Sequence, residues 1–234
     1  MRMFSFIILI FFISGCSKSS EPNSDIDNIP NYYAPLNVGD IRQFVRQSDS
    51  ATVLQKVIFT TKRQDGVNAF AMETTNGTNL PDTFYCVVRN GYFKGTNLNT
   101  GSNPSNPYNE QNIITTNPSD GDRFIDLISY PDTVYKVAKY FPSRNTLCGI
   151  FNNVFGFTTI FHYSNGGRDT SSTSYFAKDI GCIGSSSKHL ELNSDISYLK
   201  IGNQEYGKLR PPKSITPMSN INNPIFQKRV YRKY

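Results

Sequence analysis

The chain has 234 residues, 13% of them aromatic but none Trp, and a formal net charge of +6. That length suits a single domain of ordinary size. The excess charge is local, because residues 208–234 hold seven of the 24 Lys and Arg residues and no Asp or Glu. A nucleic-acid-binding domain spreads its basic residues over a folded face. The near-neutral body therefore argues against nucleic acid as a partner.

Residues 1–15 have the features of a secretory signal peptide. Arg2 supplies the positive start, residues 4–13 are apolar except for Ser5, and the small residues Ser14 and Gly15 precede a cleavage point. The apolar run is about half of the roughly 20 residues that a membrane-spanning helix needs. The segment is therefore predicted to be removed rather than to cross a membrane.

A cysteine directly follows these small residues. Ile13-Ser14-Gly15-Cys16 resembles the lipobox of bacterial lipoproteins. The resemblance implies cleavage before Cys16, a lipid on its thiol and fatty acylation of the new N-terminus, with palmitate as a typical acyl chain. Residues 16–31 are then predicted to form a polar, flexible tether. By analogy with sorting in enteric bacteria, Ser17 in place of Asp indicates the outer membrane. The alternative is an ordinary signal peptide with a chance cysteine.

The body, residues 32–207, is predicted to be one all-β domain. Short β-prone runs alternate with turn signals such as Asp65-Gly66, Asn76-Gly77 and Asn90-Gly91, which tolerate the positive φ of hairpin turns. Residues 96–121 are mostly polar and are expected to be disordered or draped over the surface, and Gly184 to Ser187 is interpreted as a turn. The pattern favours a curved antiparallel meander of about ten strands, a half-open barrel or a sandwich. The predicted strands are Ile41–Gln47, Ala51–Thr60, Val67–Thr75, Asp82–Asn90, Arg123–Ser129, Thr133–Tyr140, Val154–Tyr163, Thr170–Lys178, Lys188–Leu192 and Ile196–Ile201.

One predicted strand carries an aromatic stripe. Its alternation places Phe155, Phe157, Phe161 and Tyr163 on one face. Such a stripe is either part of the core or a face that binds an apolar ligand, and the core is the commoner case.

Three cysteines remain after Cys16. An exported protein can form disulfides, and Cys148 and Cys182 are the candidate pair. The alternative is that these two, like Cys86, are small buried apolar residues.

The sequence offers no catalytic constellation. His162 and His189 are the only histidines, and no zinc or phosphate-binding motif is present. Asp120-Gly121-Asp122 could contribute to a calcium loop, but the motif is incomplete and a polar turn is the simpler interpretation. We therefore predict no catalytic residue, no metal site and no cofactor.

Three segments of the body resemble those of a group of small secreted or lipid-anchored bacterial β proteins, mostly of unknown function. The stretch from Tyr32-Tyr33 through Pro35-Leu36 to Val38-Gly39 is similar to the motif that opens their domains, although Arg42 stands at its Trp position. Residues 148–154 and 175–181 are similar to two later motifs. The resemblance implies a lipid-anchored all-β domain with a curved sheet, and it carries over no catalytic residue.

Three functional hypotheses follow. The first is a non-enzymatic outer-membrane lipoprotein, held to the membrane by its N-terminal lipid, which binds an envelope protein or an apolar ligand. The second is an envelope hydrolase that acts on glycan or lipid. The third is a structural subunit docked through the basic, proline-containing tail, residues 208–234.

Overall fold

The computed structural model describes residues 36–129, 132–187 and 192–214. The predicted signal peptide, Cys16, the tether, His189 and the end of the basic tail lie outside these ranges. Within them, no helix is long and apolar enough to span a membrane.

The described residues form thirteen strands joined by antiparallel pairing. Their alternating and β-branched sequences, punctuated by Gly, Asn and Asp, account for this all-strand composition. The strands are β1 Ile41–Arg46, β2 Thr52–Lys62, β3 Asn68–Asn76, β4 Asp82–Arg89, β5 Tyr92–Thr96, β6 Gln111–Thr115, β7 Arg123–Ser129, β8 Asp132–Thr146, β9 Gly149–His162, β10 Arg168–Ala177, β11 Gly181–Ser187, β12 Leu192–Ile201 and β13 Gln204–Gly207.

The sheet is a meander that curls until its two ends nearly meet. Strands β1 to β6 pair in sequence order, as do β7 to β12, and β1 pairs with β12 in the middle of the order. Strands β6 and β7 therefore become the two free ends of a nearly closed, barrel-like sheet. The prediction of an all-β, curved antiparallel meander is confirmed in its half-open barrel form.

Side chains hold the seam between β6 and β7. The amide of Asn112 donates to the carbonyl of Ile125 over 3.0 Å. The ammonium of Lys136 donates to the carbonyls of Asn112 and Ile113, at 3.2 and 2.9 Å, and lies 3.3 Å from Asp126. Burial lowers the pKa of Lys136, and Asp126 opposes the shift. Hydrogen bonds from two side chains, those of Asn112 and Lys136, thus bridge the gap between the two end strands.

The predicted hairpin turns have the required backbone. Asn90 and Gly91 adopt φ values of 53° and 75°, and Gly66 and Gly77 adopt 83° and 59°. Two consecutive positive φ values at Asn90 and Gly91 match the tight turn between β4 and β5.

Two sequence interpretations are wrong. Residues 96–121 are not one unstructured loop, because β6 lies within them and pairs with β5. Gly184 to Ser187 is not a turn but the second half of β11, where the three serines pair with β10 and β12. In both places pairing with neighbouring strands overrides a polar, turn-like composition.

The core has two parts that meet at β9. Phe155 and Phe157 enter a large cluster together with side chains of β2 to β10. Val154, which points to the opposite face of the strand, enters a second cluster with Phe44, Ile183 and Ile196. Because both faces of β9 are covered near residue 155, the strand is a central support of the fold.

The described part of the basic tail lies along the sheet. The main-chain NH of Lys208 donates to the carbonyl of Ser197, and that of Arg210 to the side-chain oxygen of Gln43. Thr52 and Lys213 exchange two hydrogen bonds, each 2.9 Å long. Residues 208–213 therefore pack against β1, β2 and β12.

Candidate functional site

A shallow pocket of about 330 Å³ opens on the outer face of β7 to β10. Thr133, His162 and Arg168 form one row across β8, β9 and β10, because they are successive cross-strand partners. Tyr135 lies two residues along β8 and pairs with Ile125 of β7. The described residues that line it are Arg123, Phe124, Ile125, Thr133, Tyr135, His162 and Arg168. Four adjacent strands, rather than mobile loops, hold these side chains.

The described lining of the pocket carries positive charge. Arg123 and Arg168 are both exposed, and neither forms an ion pair within the described residues. Other arginines of the chain do pair: Arg46 with Asp49, Arg63 with Glu110 and Arg144 with Asp195. The seven lining residues include no carboxylate. The pocket therefore favours an anionic ligand.

The structure divides the predicted ligand face. Phe155 and Phe157 are 5% and 1% exposed, and both belong to the large core cluster. Phe161 and Tyr163 are half-buried and stack on each other, with ring centres 6.4 Å apart. Because His162 points to the opposite face from Phe161, the stripe and the pocket lie on opposite sides of β9.

The three described cysteines are free thiols. Cys148 and Cys182 both pack against the second core cluster, near the carbonyls of Tyr206 and Gly184 respectively. Burial raises the pKa of Cys148 to about 11 and that of Cys86 to about 12. The disulfide between Cys148 and Cys182 stays a prediction from the sequence.

Asp120 and Asp122 are engaged with the main chain. Asp122 accepts from the NH of Ser119 at 2.7 Å, and Asp120 accepts from the NH of Tyr140 at 2.7 Å. These contacts give both carboxylates a structural role in the turn before β7. Among the described residues, no group of three or more His, Cys, Asp or Glu is arranged to hold a metal ion.

Sequence reasoning missed an ion-pair network around Arg63. The guanidinium is fully buried, donates to Glu110 at 2.6 Å and to Asp65, and lies 4.0 Å from the centre of the Tyr108 ring. Lys94 donates to the other oxygen of Glu110 at 2.9 Å. The network fastens the segment between β5 and β6 to the end of β2. Arg63 and Glu110 are 47 residues apart in the sequence, so no local sequence pattern indicates that they pair.

Arg42 is a second buried cation. Arg42 is 2% exposed. Its Nη2 donates to the carbonyl of Ile180 at 3.4 Å, and its Nε has no hydrogen-bond partner among the described residues. Burial lowers its pKa, and Asp40 opposes the shift. The position that corresponds to the Trp of the motif is thus an interior position in this chain.

These features define an all-β protein with a nearly closed, barrel-like sheet and a cationic pocket on its outer face. No protein-family model matches the chain, and no curated protein matches it. Among solved structures it is similar to a Bacteroides fragilis protein described as exported and as having a YmcC-like fold. That match covers 73% of this chain and 100% of the other, at 12% identity and a TM-score of 0.42. A likeness of this size supports no inference about function.

Proposed function

We propose that this protein is a lipid-anchored, non-enzymatic binding module of the bacterial envelope, and that the pocket on β7 to β10 is its recognition site. The observation that carries the binding role is that two guanidinium groups without an ion pair among the described residues, Arg123 and Arg168, line one pocket on a strand scaffold. Clefts with a few convergent polar groups on a rigid framework are the usual form of ligand sites.

The anchor is supported by the sequence around Cys16. Several acyl chains hold a protein stably where a single chain is marginal. The polar tether then leaves the β domain free to meet a ligand at the membrane surface. We place the anchor in the outer membrane because Ser17, and not Asp, follows the cysteine.

The hydrolase alternative receives less support at this pocket. His162 is a lining residue, but no carboxylate, cysteine or serine lines the pocket with it. A histidine base in acyl transfer needs a nucleophile and an orienting acid in hydrogen-bond reach. The lining is better suited to holding a ligand than to breaking a bond in it.

In vivo photocrosslinking tests the binding role. A photoreactive residue replaces Ile125, which is 50% exposed at the pocket, or Leu80, which is 92% exposed on the turn between β3 and β4. We expect a discrete adduct of constant mass at position 125 and none at position 80. Equal labelling at both positions, or no adduct at either, would refute a binding role for the pocket.

The anchor is tested separately by Cys16→Ser, with Ser17→Ala as the control that keeps the lipidated thiol. We expect Cys16→Ser to leave the membrane fraction and to lose the mass of the acyl groups, whereas Ser17→Ala stays at the membrane. Membrane fractionation and intact mass that are the same in both variants would overturn the lipid anchor.

A further inference from the structure

We infer that the pocket binds an organic phosphate, that is, a phosphate group joined to an apolar body. The inference rests on the proposed function, because it names the ligand class of the same pocket. Its two parts, the phosphate and the apolar body, come from different features of the lining.

The phosphate is indicated by the donors. Arg123 lines the pocket from β7 and Arg168 from β10, and His162 on β9 is the direct cross-strand partner of Arg168. Guanidinium groups present a planar fork of donors that matches phosphate oxygens and are weakly hydrated, so they give up water readily. The hydroxyls of Thr133 and Tyr135 add two further hydrogen-bonding groups to the same lining.

The charge of the surroundings favours an anion of more than one negative charge. The lining contains two fixed positive charges and no carboxylate. A ligand without charge would leave both guanidinium groups uncompensated, whereas a phosphate monoester carries nearly two negative charges near neutral pH. Charge-assisted hydrogen bonds of this kind are about twice as strong as neutral ones.

The apolar body is indicated by the rest of the lining and by its size. Ile125 is half exposed, although it is a large apolar side chain, and Tyr135, its cross-strand partner, lies beside it. The volume of about 330 Å³ falls within the range of small-molecule sites, roughly 300–1,000 Å³. A bare phosphate would leave most of that space and the side chain of Ile125 in water.

Calorimetric titration of the full chain in a neutral detergent tests the inference with three probes: phenyl phosphate, inorganic phosphate and phenol. We expect phenyl phosphate to bind about tenfold more tightly than inorganic phosphate, because its ring buries apolar surface. We expect no measurable binding of phenol. Phenol binding as tightly as phenyl phosphate, or inorganic phosphate doing so, would overturn the inference.

Matched variants assign the binding to this pocket. Arg123→Gln and Arg168→Gln should each weaken phenyl phosphate binding about tenfold, since each removes one charge-assisted contact. Lys178→Gln removes the same charge from an exposed residue between β10 and β11 and should leave the affinity unchanged. Equal affinity in all three variants would place the binding elsewhere and refute the assignment.

One further arm separates a lipid headgroup from a soluble ligand. Vesicles of phosphatidylglycerol and phosphatidylcholine are added to the phenyl phosphate titration. Competition by the vesicles assigns the phosphate to a lipid headgroup, and its absence assigns it to a soluble molecule. An adduct at position 125 without phenyl phosphate binding would leave the proposed function standing and refute this inference alone.

Discussion

The guanidinium of Arg63 and the carboxylate of Glu110 meet at 2.6 Å across a sequence separation of 47 residues. The side chain of Arg63 is fully buried, that of Glu110 is partly buried, and Tyr108 covers the guanidinium. This contact ties the segment that precedes β6 to the end of β2. It explains how a polar stretch without regular structure is held against the sheet.

Neutralising Glu110 should destabilise the protein. Glu110→Gln removes the charged acceptor of Arg63 and Lys94, and the expected loss in the free energy of unfolding is about 2–3 kcal/mol. Urea denaturation measures it. Glu205→Gln, in the exposed pair with Lys200, is the control and should cost less than about 1 kcal/mol. Equal effects of the two variants would show that the buried network stabilises the protein no more than an exposed ion pair does.

The same network predicts loss of stability in acid. Burial would raise the pKa of Glu110, but hydrogen bonds from Lys94 and Arg63 outweigh it and hold the pKa below its ordinary value of 4.5. A hydrogen bond from Arg63 likewise lowers the pKa of Asp65 below 3.8. Carboxylates with lowered pKa stabilise the folded state above those ordinary values, and this stabilisation is lost as pH falls through the lowered ones.

Thermal melts from pH 6 to pH 3 should therefore show a falling melting temperature below about pH 4.5. In Glu110→Gln the fall should be shallower, because one of the two titrating groups is gone. Curves of identical shape for the two proteins would contradict the role of Glu110.

Lys136 should control local opening at the seam between β6 and β7. Lys136→Met removes the donor to the carbonyls of Asn112 and Ile113. We expect faster amide hydrogen exchange in residues 111–115 and 123–126, with little change on β2 and β3, because the seam opens without global unfolding. Lys139→Met, an exposed lysine on the same strand, should leave the pattern unchanged. Exchange that is no faster in Lys136→Met would mean that the seam does not depend on the lysine.

Gly184 should tolerate no side chain. A Cβ there would lie 2.5 Å from the carbonyl oxygen of Ser194, and its φ is +154°. Gly184→Ala should lower the free energy of unfolding by about 3 kcal/mol, because the contact is with backbone that cannot move aside. Gly95→Ala, whose nearest neighbour would be 4.0 Å away, should be neutral or stabilising by up to about 1 kcal/mol. Chemical denaturation measures the free energy of unfolding of both variants, and equal values would contradict the prediction.

The aromatic stripe should separate into two energetic classes. Phe157→Ala removes a fully buried ring and should cost about 3–5 kcal/mol. Phe161→Ala removes a half-buried ring and should cost about 1–2 kcal/mol. Similar values for both positions would show that Phe161 is as much a core residue as Phe157.

The sequence predicts the local features of this fold well. Arg123–Ser129 matches β7 in full, Asn90-Gly91 forms the expected tight turn, and the first four strands are displaced by at most two residues. These features depend on the alternation of apolar and polar residues and on the residues of the turns, and both can be recognised within a few consecutive residues. The serines of β11 show the limit of prediction from local sequence. Their own composition indicates a turn, and they form a strand because they pair with β10 and β12.

The site could be predicted only in part. The period of β9 indicates a shared face for Phe155 to Tyr163, but burial in the core depends on what packs opposite. Arg123 and Arg168 lie on β7 and β10, which are separated in the sheet by β8 and β9, and the sequence around each residue shows no motif. Their presence in one pocket depends on how four strands are arranged, which no single segment encodes.

The pairing of β1 with β12 has a consequence for how the chain acquires its shape. Strand β1 ends at Arg46, and its partner β12 begins only at Leu192. Nearly the whole domain must therefore be synthesised before the backbone groups on that edge of β1 can form their hydrogen bonds. Until then β1 offers an open edge to any neighbouring strand. Folding should be slow for a protein of this size, since such distant contacts form late. A chaperone that shields the early hairpins would have its greatest effect in that interval.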